Sequence, residues 1–396
     1  MSRGSIFQRN NGWGFSLRYT DGNESKQVKR QGYGNKAMAE KALREALTTL
    51  DSGRAVSSAR LTLEKYLLGF DGVGGWLEKY ERRQKVKATT LSAVTNHVNA
   101  YIVPRLGKVS LGALDTDTLE SFYLDLLEGG KKNGEPLNPK TVRNIAGTLH
   151  KALEDAVRSR KIPNNPSSHA ELPRWEKPDL VIWEESNLIA FLEYAEETDD
   201  PMFPLWLLAL STGLRRGEIL GLRWSDIDLD NGHLVISRTR LPLGGGVIDS
   251  TPKSKTANRR ISLDPDLVAT LRAFSLEQRK SRLELGGTWQ AGDLVATDLD
   301  GSPCHPLTFS RRWGRACEAA GVPVIRLHDS RHTAAVTMIR HGVPIAIVSG
   351  RLGHANVSTT MNNYWHFTES ADREASAVMG AVLSSRKKVS KAVAKR

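Results

Sequence analysis

From Pro139 onward, apolar residues return at three- and four-residue steps: Val142, Ile145, Leu149, Ala152, Leu153, Ala156 and Val157. Only an α-helix collects that spacing on one face, and so broad an apolar face needs other elements to cover it. Pro163 and Pro166 end the run, since proline removes a backbone donor and crowds the preceding turn. Two earlier stretches, 89–103 and 116–127, show similar periodicity; Pro104-Arg105-Leu106-Gly107 separates them and Gly129-Gly130 ends the second. The spacing predicts a compact, all-helical bundle over residues 62–166. Its basic residues Lys85, Lys87, Lys140, Arg143, Arg158, Arg160 and Lys161 form either a solvated face or contacts to a polyanion.

At 396 residues the chain exceeds what one hydrophobic core organises, so further domains are expected. Residues 167–177 are polar, with Pro173 inside and Pro178 just beyond, which is linker composition. Residues 1–55 read as a small β-sheet followed by a helix. Gly12-Trp13-Gly14-Phe15-Ser16-Leu17-Arg18-Tyr19 alternates, Thr20-Asp21-Gly22-Asn23 is turn chemistry, Lys26 to Arg30 is basic, and 37–50 has helical spacing. From 178 to about 385, helices flank a hairpin region at 233–263 that contains Gly244-Gly245-Gly246. The expected fold class is mainly α with small β-sheets, divided into 1–55, 62–166 and 178–385, with a basic tail at 386–396.

Charge narrows the partners. The formal net charge is +12, and in residues 1–60 eleven Lys and Arg stand against five Asp and Glu. Such an excess favours nucleic acid, because neutralising phosphates releases counterions. Cys304 and Cys317 form no Cys-x-x-Cys pair and lie away from any His-rich cluster, so neither a disulfide framework nor a zinc site is expected. The longest apolar run, around 204–210, is too short to span a bilayer, and the start of the chain has no apolar leader. A cytoplasmic protein without a membrane partner is expected.

Four clusters carry the candidate chemistry. The first is Thr212-Gly213-Leu214-Arg215-Arg216-Gly217-Glu218-Ile219, where an apolar helix ends and a second begins at an arginine. The second is Thr251-Pro252-Lys253-Ser254-Lys255-Thr256-Ala257-Asn258-Arg259. The third is Leu327-His328-Asp329-Ser330-Arg331-His332, and the fourth runs from Leu352-Gly353-His354 to Tyr364-Trp365-His366. Each alone has an ordinary structural reading: core histidines, a surface ion pair, a buried aromatic.

In order and spacing the four together resemble the active-site boxes of the tyrosine recombinase family, of the phage-integrase kind. The resemblance covers about 60–385, by motif in the last segment and by helical pattern and length in the bundle. It implies that Arg215, Lys253, His328, Arg331, His354 and Tyr364 are catalytic, with Glu218 as a supporting carboxylate. Lys255 remains open for the lysine's role, because Lys255-Thr256 also looks like the family's Lys-Thr pair. Ser330 stands where the family usually has Leu, between the functional positions.

These residue types fit phosphodiester attack. The pentavalent state gathers charge on non-bridging oxygens, and the planar fork of an arginine donates two parallel hydrogen bonds to them. A tyrosine with an ordinary pKa of about 10 attacks poorly unless cations favour phenolate or a neighbour such as His328 takes its proton. The resemblance implies that Lys253 protonates the leaving 5′ oxygen, that His354 donates to the phosphate, and that a 3′-phosphotyrosyl link conserves the bond energy. It implies no cofactor and no metal.

Further partners follow from the same resemblance: double-stranded DNA attachment sites, self-association to a tetramer on DNA, and in addition a directionality factor and a DNA-bending host protein. It places the chain at the nucleoid of a bacterial cell. Residues 1–55 look similar to the arm-binding domains of phage and integrative-element integrases, in Gly12-Trp13-Gly14-Phe15 and Gly32-Tyr33-Gly34-Asn35-Lys36. Recombinases that resolve chromosomes or plasmids typically lack that piece. Type IB topoisomerases, with related chemistry, and a catalytically inactive DNA-binding regulator are the alternatives.

Overall fold

The computed structural model describes residues 3–9, 12–21, 24–51, 61–84, 86–178, 180–250, 258–353 and 376. The chain divides into two compact units, residues 1–177 and 178–396.

The first unit opens with an antiparallel sheet of β1 (Arg3–Arg9), β2 (Gly12–Asp21) and β3 (Glu24–Tyr33), followed by α1 (Lys36–Asp51). Strand alternation sends Phe15 and Leu17 inward, where both are fully buried against Ile6, Val28, Ala42, Leu43 and Ala46. The register places Arg18 opposite Gln27 and Ser16 opposite Lys29 on the other face, which is therefore polar and basic.

The bundle contains α2 (Leu63–Leu68), α3 (Trp76–Gln84), α4 (Ala88–Asn96), α5 (Val103–Leu106), α6 (Thr116–Gly129) and α7 (Pro139–Arg158). Asn138 caps α7 by accepting from the Lys140 backbone N–H at 2.8 Å, and Pro139 takes the first position, where its missing donor costs nothing. Val142, Ile145, Leu149, Ala152, Leu153 and Ala156 are buried, as the periodicity predicts.

The stretch departs from the sequence expectation twice. It is not purely helical: β4 (Gly69–Phe70) and β5 (Val73–Gly74) form a short hairpin. A Cβ at Gly69 would lie 1.9 Å from the Val73 carbonyl oxygen, so this close turn requires glycine. The break between the two helical stretches also falls slightly later than Pro104: the chain stays helical from Ala88 to Leu106 through a wide π segment, His97–Ile102, with Pro104 at the second position of α5, and α6 starts at Thr116.

The second unit contains α8 (Glu185–Glu197), α9 (Phe203–Thr212), α10 (Arg216–Gly221), β6 (Ile227–Asp228), β7 (His233–Ile236), β8 (Thr239–Leu243), β9 (Gly246–Ser250), β10 (Arg259–Ser262), α11 (Pro265–Leu285), α12 (Pro306–Ala319), α13 (Leu327–Arg340) and α14 (Ile345–Leu352). Strands β10, β7 and β6 make one small antiparallel sheet and β8–β9 a separate hairpin. That hairpin turns at Gly244 and Gly245, both with positive φ, the mirror-image turn that matches strand twist.

An aromatic core holds the lead-in to α13. Trp313 packs on Trp183 at 5.3 Å, Phe191 at 4.8 Å and Trp206 at 5.4 Å between ring centroids. Each buried indole N–H finds a partner: Trp206 donates to Asp200, Trp183 to the Pro323 carbonyl at 2.7 Å and Trp313 to the Ile325 carbonyl at 2.8 Å. The last two bonds pin the segment that leads into α13.

Candidate active site

Helix α9 ends at Gly213 in the left-handed conformation, φ +65°, where a Cβ would come 2.6 Å from Leu352. The chain then turns at Leu214 and Arg215 into α10. The Glu218 carboxylate, 1% exposed, reaches back: Oε2 accepts the Arg215 backbone N–H at 2.9 Å and Oε1 accepts Arg215 Nη1 at 2.8 Å. Arg215 Nη2 also donates to the Gly353 carbonyl at 3.3 Å.

Helix α13 carries His328 and Arg331. Arg331 is 2% exposed, donating Nη1 to the Gly213 carbonyl at 2.7 Å and Nη2 to the Leu352 carbonyl at 2.6 Å. Both carbonyls sit at helix C-termini, whose partial negative charge holds a guanidinium well. Asp329 fixes the start of α13 by accepting Arg326 Nε and Nη2 at 2.8 Å each. Ser330, fully buried, donates to the Leu327 carbonyl at 2.6 Å, so the departure from the family's usual Leu leaves no orphaned hydroxyl.

His328 is exposed as a whole residue, yet the protein packed around its ring disfavours the imidazolium. That burial, and then the charges of Arg331 and Arg215, hold its pKa below the ordinary histidine value, against a smaller pull from Asp329. The ring is thus neutral at physiological pH and able to accept a proton. It meets His332 edge-on at 5.3 Å.

Burial alone would raise the pKa of Glu218. The hydrogen bonds and charge of Arg259, with a smaller share from Arg215, outweigh it and hold the carboxyl below the usual glutamate range. Sequence reading missed Arg259 as a member of this site. It is 6% exposed in its side chain, donates Nη1 and Nη2 to the two Glu218 oxygens at 3.1 and 2.9 Å, and gives Nε to the Arg351 carbonyl at 2.6 Å. A signal was present: Arg259 stands two residues before Ile261, so strand alternation puts both on the buried face, where a charge must be paired.

The structure therefore joins Arg215, Glu218 and Arg331 and connects all three to the Arg351–Gly353 backbone. Lys253, Lys255, His354 and Tyr364 lie outside the described residues, as do Lys85, the segment after Tyr364 apart from residue 376, and the basic tail at 386–396. Burial pushes the Cys304 and Cys317 thiols up to about 12 and about 11. Among the described residues no cluster of three His, Cys, Asp or Glu side chains suits a metal, and no helix is long and apolar enough to cross a membrane.

In this network Glu218 is the carboxylate bonded to two arginines, and two of the bonds of Arg331 run to neutral carbonyls. The described members carry more positive than negative charge, an arrangement able to hold a phosphate.

Comparison with known proteins points the same way. Residues 183–371 match the Phage integrase family, and residues 76–172 match the Phage integrase SAM-like domain. The chain is 26% identical to a "Tyrosine recombinase XerC-like" protein of Caldanaerobacter subterraneus subsp. tengcongensis over 359 residues, covering 86% of this chain and 88% of that one. It is also 26% identical to the ICEBs1 integrase of Bacillus subtilis, covering 71% of this chain and 73% of the relative. Its fold is similar to that of the Tn1549 transposon integrase in complex with transposon right-end DNA, with a TM-score of 0.62 at 19% identity over 72% of this chain and 92% of that one. A lambda integrase dimer bound to a COC′ core site aligns with a TM-score of 0.53 at 20% identity over 90% and 94% of the two chains.

Proposed function

Because this chain belongs to the phage integrase family of tyrosine recombinases, we propose that it is a site-specific DNA recombinase that integrates or excises a mobile element by cutting and rejoining strands through a 3′-phosphotyrosyl intermediate. The observation that carries this reading is the convergence of Arg215 and Arg331 on the Leu352 and Gly353 carbonyls, immediately ahead of His354. The first, third and fourth motif clusters meet there, Arg259 at the end of the second reaches the adjoining Arg351 carbonyl, and both Arg215 and Arg331 lie beside the helix end from which the chain continues toward Tyr364.

In this mechanism the Tyr364 phenolic oxygen attacks the phosphorus, and the bond to the 5′ oxygen breaks. Arg215 and Arg331 stabilise the charge on the non-bridging oxygens, with His354 adding a hydrogen bond. Neutral His328 accepts the phenolic proton and Lys253 supplies one to the leaving 5′ oxygen. The freed hydroxyl of a second strand reverses the same steps.

Residues 1–55 serve as the arm-type DNA-binding domain, 62–166 as the core-binding domain and 178–385 as the catalytic domain. The three-stranded sheet with its polar, basic outer face supports the integrase reading over a resolvase that lacks such a piece. Double-stranded attachment sites are the substrate, and a tetramer on two sites is the working unit, because each site needs two protomers to cut two strands.

Incubation with a nicked suicide substrate tests this. Wild type is expected to form a covalent adduct that maps to Tyr364, while Tyr364→Phe binds DNA and forms none. Adduct formation by Tyr364→Phe, or none by wild type on its own attachment sequence, would remove the assignment.

A further inference from the structure

The four hydrogen bonds accepted by Glu218 fill its two oxygens. Oε1 takes Arg215 Nη1 and Arg259 Nη1, and Oε2 takes the Arg215 backbone N–H and Arg259 Nη2. A carboxylate has about four acceptor positions, so half of this capacity is spent on Arg259. Arg259 is itself held on its third side by the Arg351 carbonyl. It lies so close to Gly353 that a Cβ there would be 2.8 Å from Nη1. One guanidinium thus connects strand β10, helix α10 and the C-terminal end of α14.

We propose that Arg259 is a positioning residue for strand cleavage: by occupying half of the Glu218 carboxylate, it keeps that carboxylate from turning wholly onto Arg215 and so leaves Arg215 donors for the scissile phosphate. Glu218 and the phosphate are two anions competing for one guanidinium. A buried carboxylate without Arg259 would take both outer nitrogens of Arg215 in a bidentate pair, the geometry that arginine and carboxylate prefer. The inference rests on the recombinase reading and adds to it a residue that touches neither DNA nor the nucleophile in this scheme.

The full-length protein with the nicked suicide substrate separates the possibilities. Arg259→Gln is expected to bind the site with wild-type affinity yet form adduct about 10- to 100-fold more slowly, because it weakens a phosphate donor indirectly. The double variant Glu218→Gln/Arg259→Gln, which removes the competing charge, is expected to be faster than Arg259→Gln alone. A purely structural role predicts the reverse, since the second change removes a further native group. Wild-type cleavage by Arg259→Gln, or a double variant no faster than the single, overturns the proposal. Should Arg259→Gln fail to fold, Arg259→Lys and Glu218→Gln/Arg259→Lys are compared in the same way, with the same two outcomes. The wild-type control distinguishes the failures: no adduct there defeats the recombinase reading, whereas a normal control with an unaffected Arg259 variant defeats this one.

Discussion

Glu218 shows how one residue ties stability to chemistry. A carboxylate 1% exposed persists only because two arginines compensate its lost hydration. Glu218→Ala leaves Arg259 buried without this partner, and the second unit should lose about 3–5 kcal/mol, measured by chemical denaturation. The pH dependence has a definite sign. Because the folded-state pKa of Glu218 is depressed, its contribution is present above the ordinary carboxylate range and is lost as pH falls through the folded value. Glu218→Gln should flatten that acid limb; an unchanged acid limb would show that other groups control it. Arg215, Glu218, His328 and Arg331 were legible in the sequence because their motifs are short and contiguous. Arg259 was not assigned to the site, because its role depends on a carboxylate 41 positions earlier in the chain.

At the scale of elements, α13 is aimed by bonds that lie outside it. Trp313, on α12, and Trp183, just ahead of α8, hold the carbonyls of Ile325 and Pro323, and these set where α13 begins and so where Arg331 points. Trp313→Phe keeps most of the apolar contact but strands a buried carbonyl. It should cost about 1–3 kcal/mol and lower the melting temperature, with a smaller loss of strand cleavage. An unchanged melting temperature would mean that the lead-in is held by packing alone. The helical elements could be read from apolar spacing, most clearly α7. The β4–β5 hairpin and the π segment could not, since a two-residue strand has no period and a wide turn changes the frame without changing composition.

For the whole molecule, the net charge of +12 makes phosphate contact the dominant, salt-sensitive part of DNA affinity. With roughly 6–10 phosphates neutralised per protomer, binding should weaken by about 10³- to 10⁵-fold between 50 and 200 mM salt. Gel-shift titration across that range checks it, and a flat response would argue against a backbone-dominated interface. By itself the sequence determined the helical character of most of the chain, the polyanionic partner and the four motif clusters, because charge, periodicity and short motifs are local properties. Only the tertiary structure decided that helix ends at Gly213 and Leu352 hold Arg331, and that Glu218 is shared between two arginines. Apart from the local Arg215–Glu218 pair, those contacts join residues 21 to 118 positions apart, and burial, which no local pattern specifies, makes them obligatory.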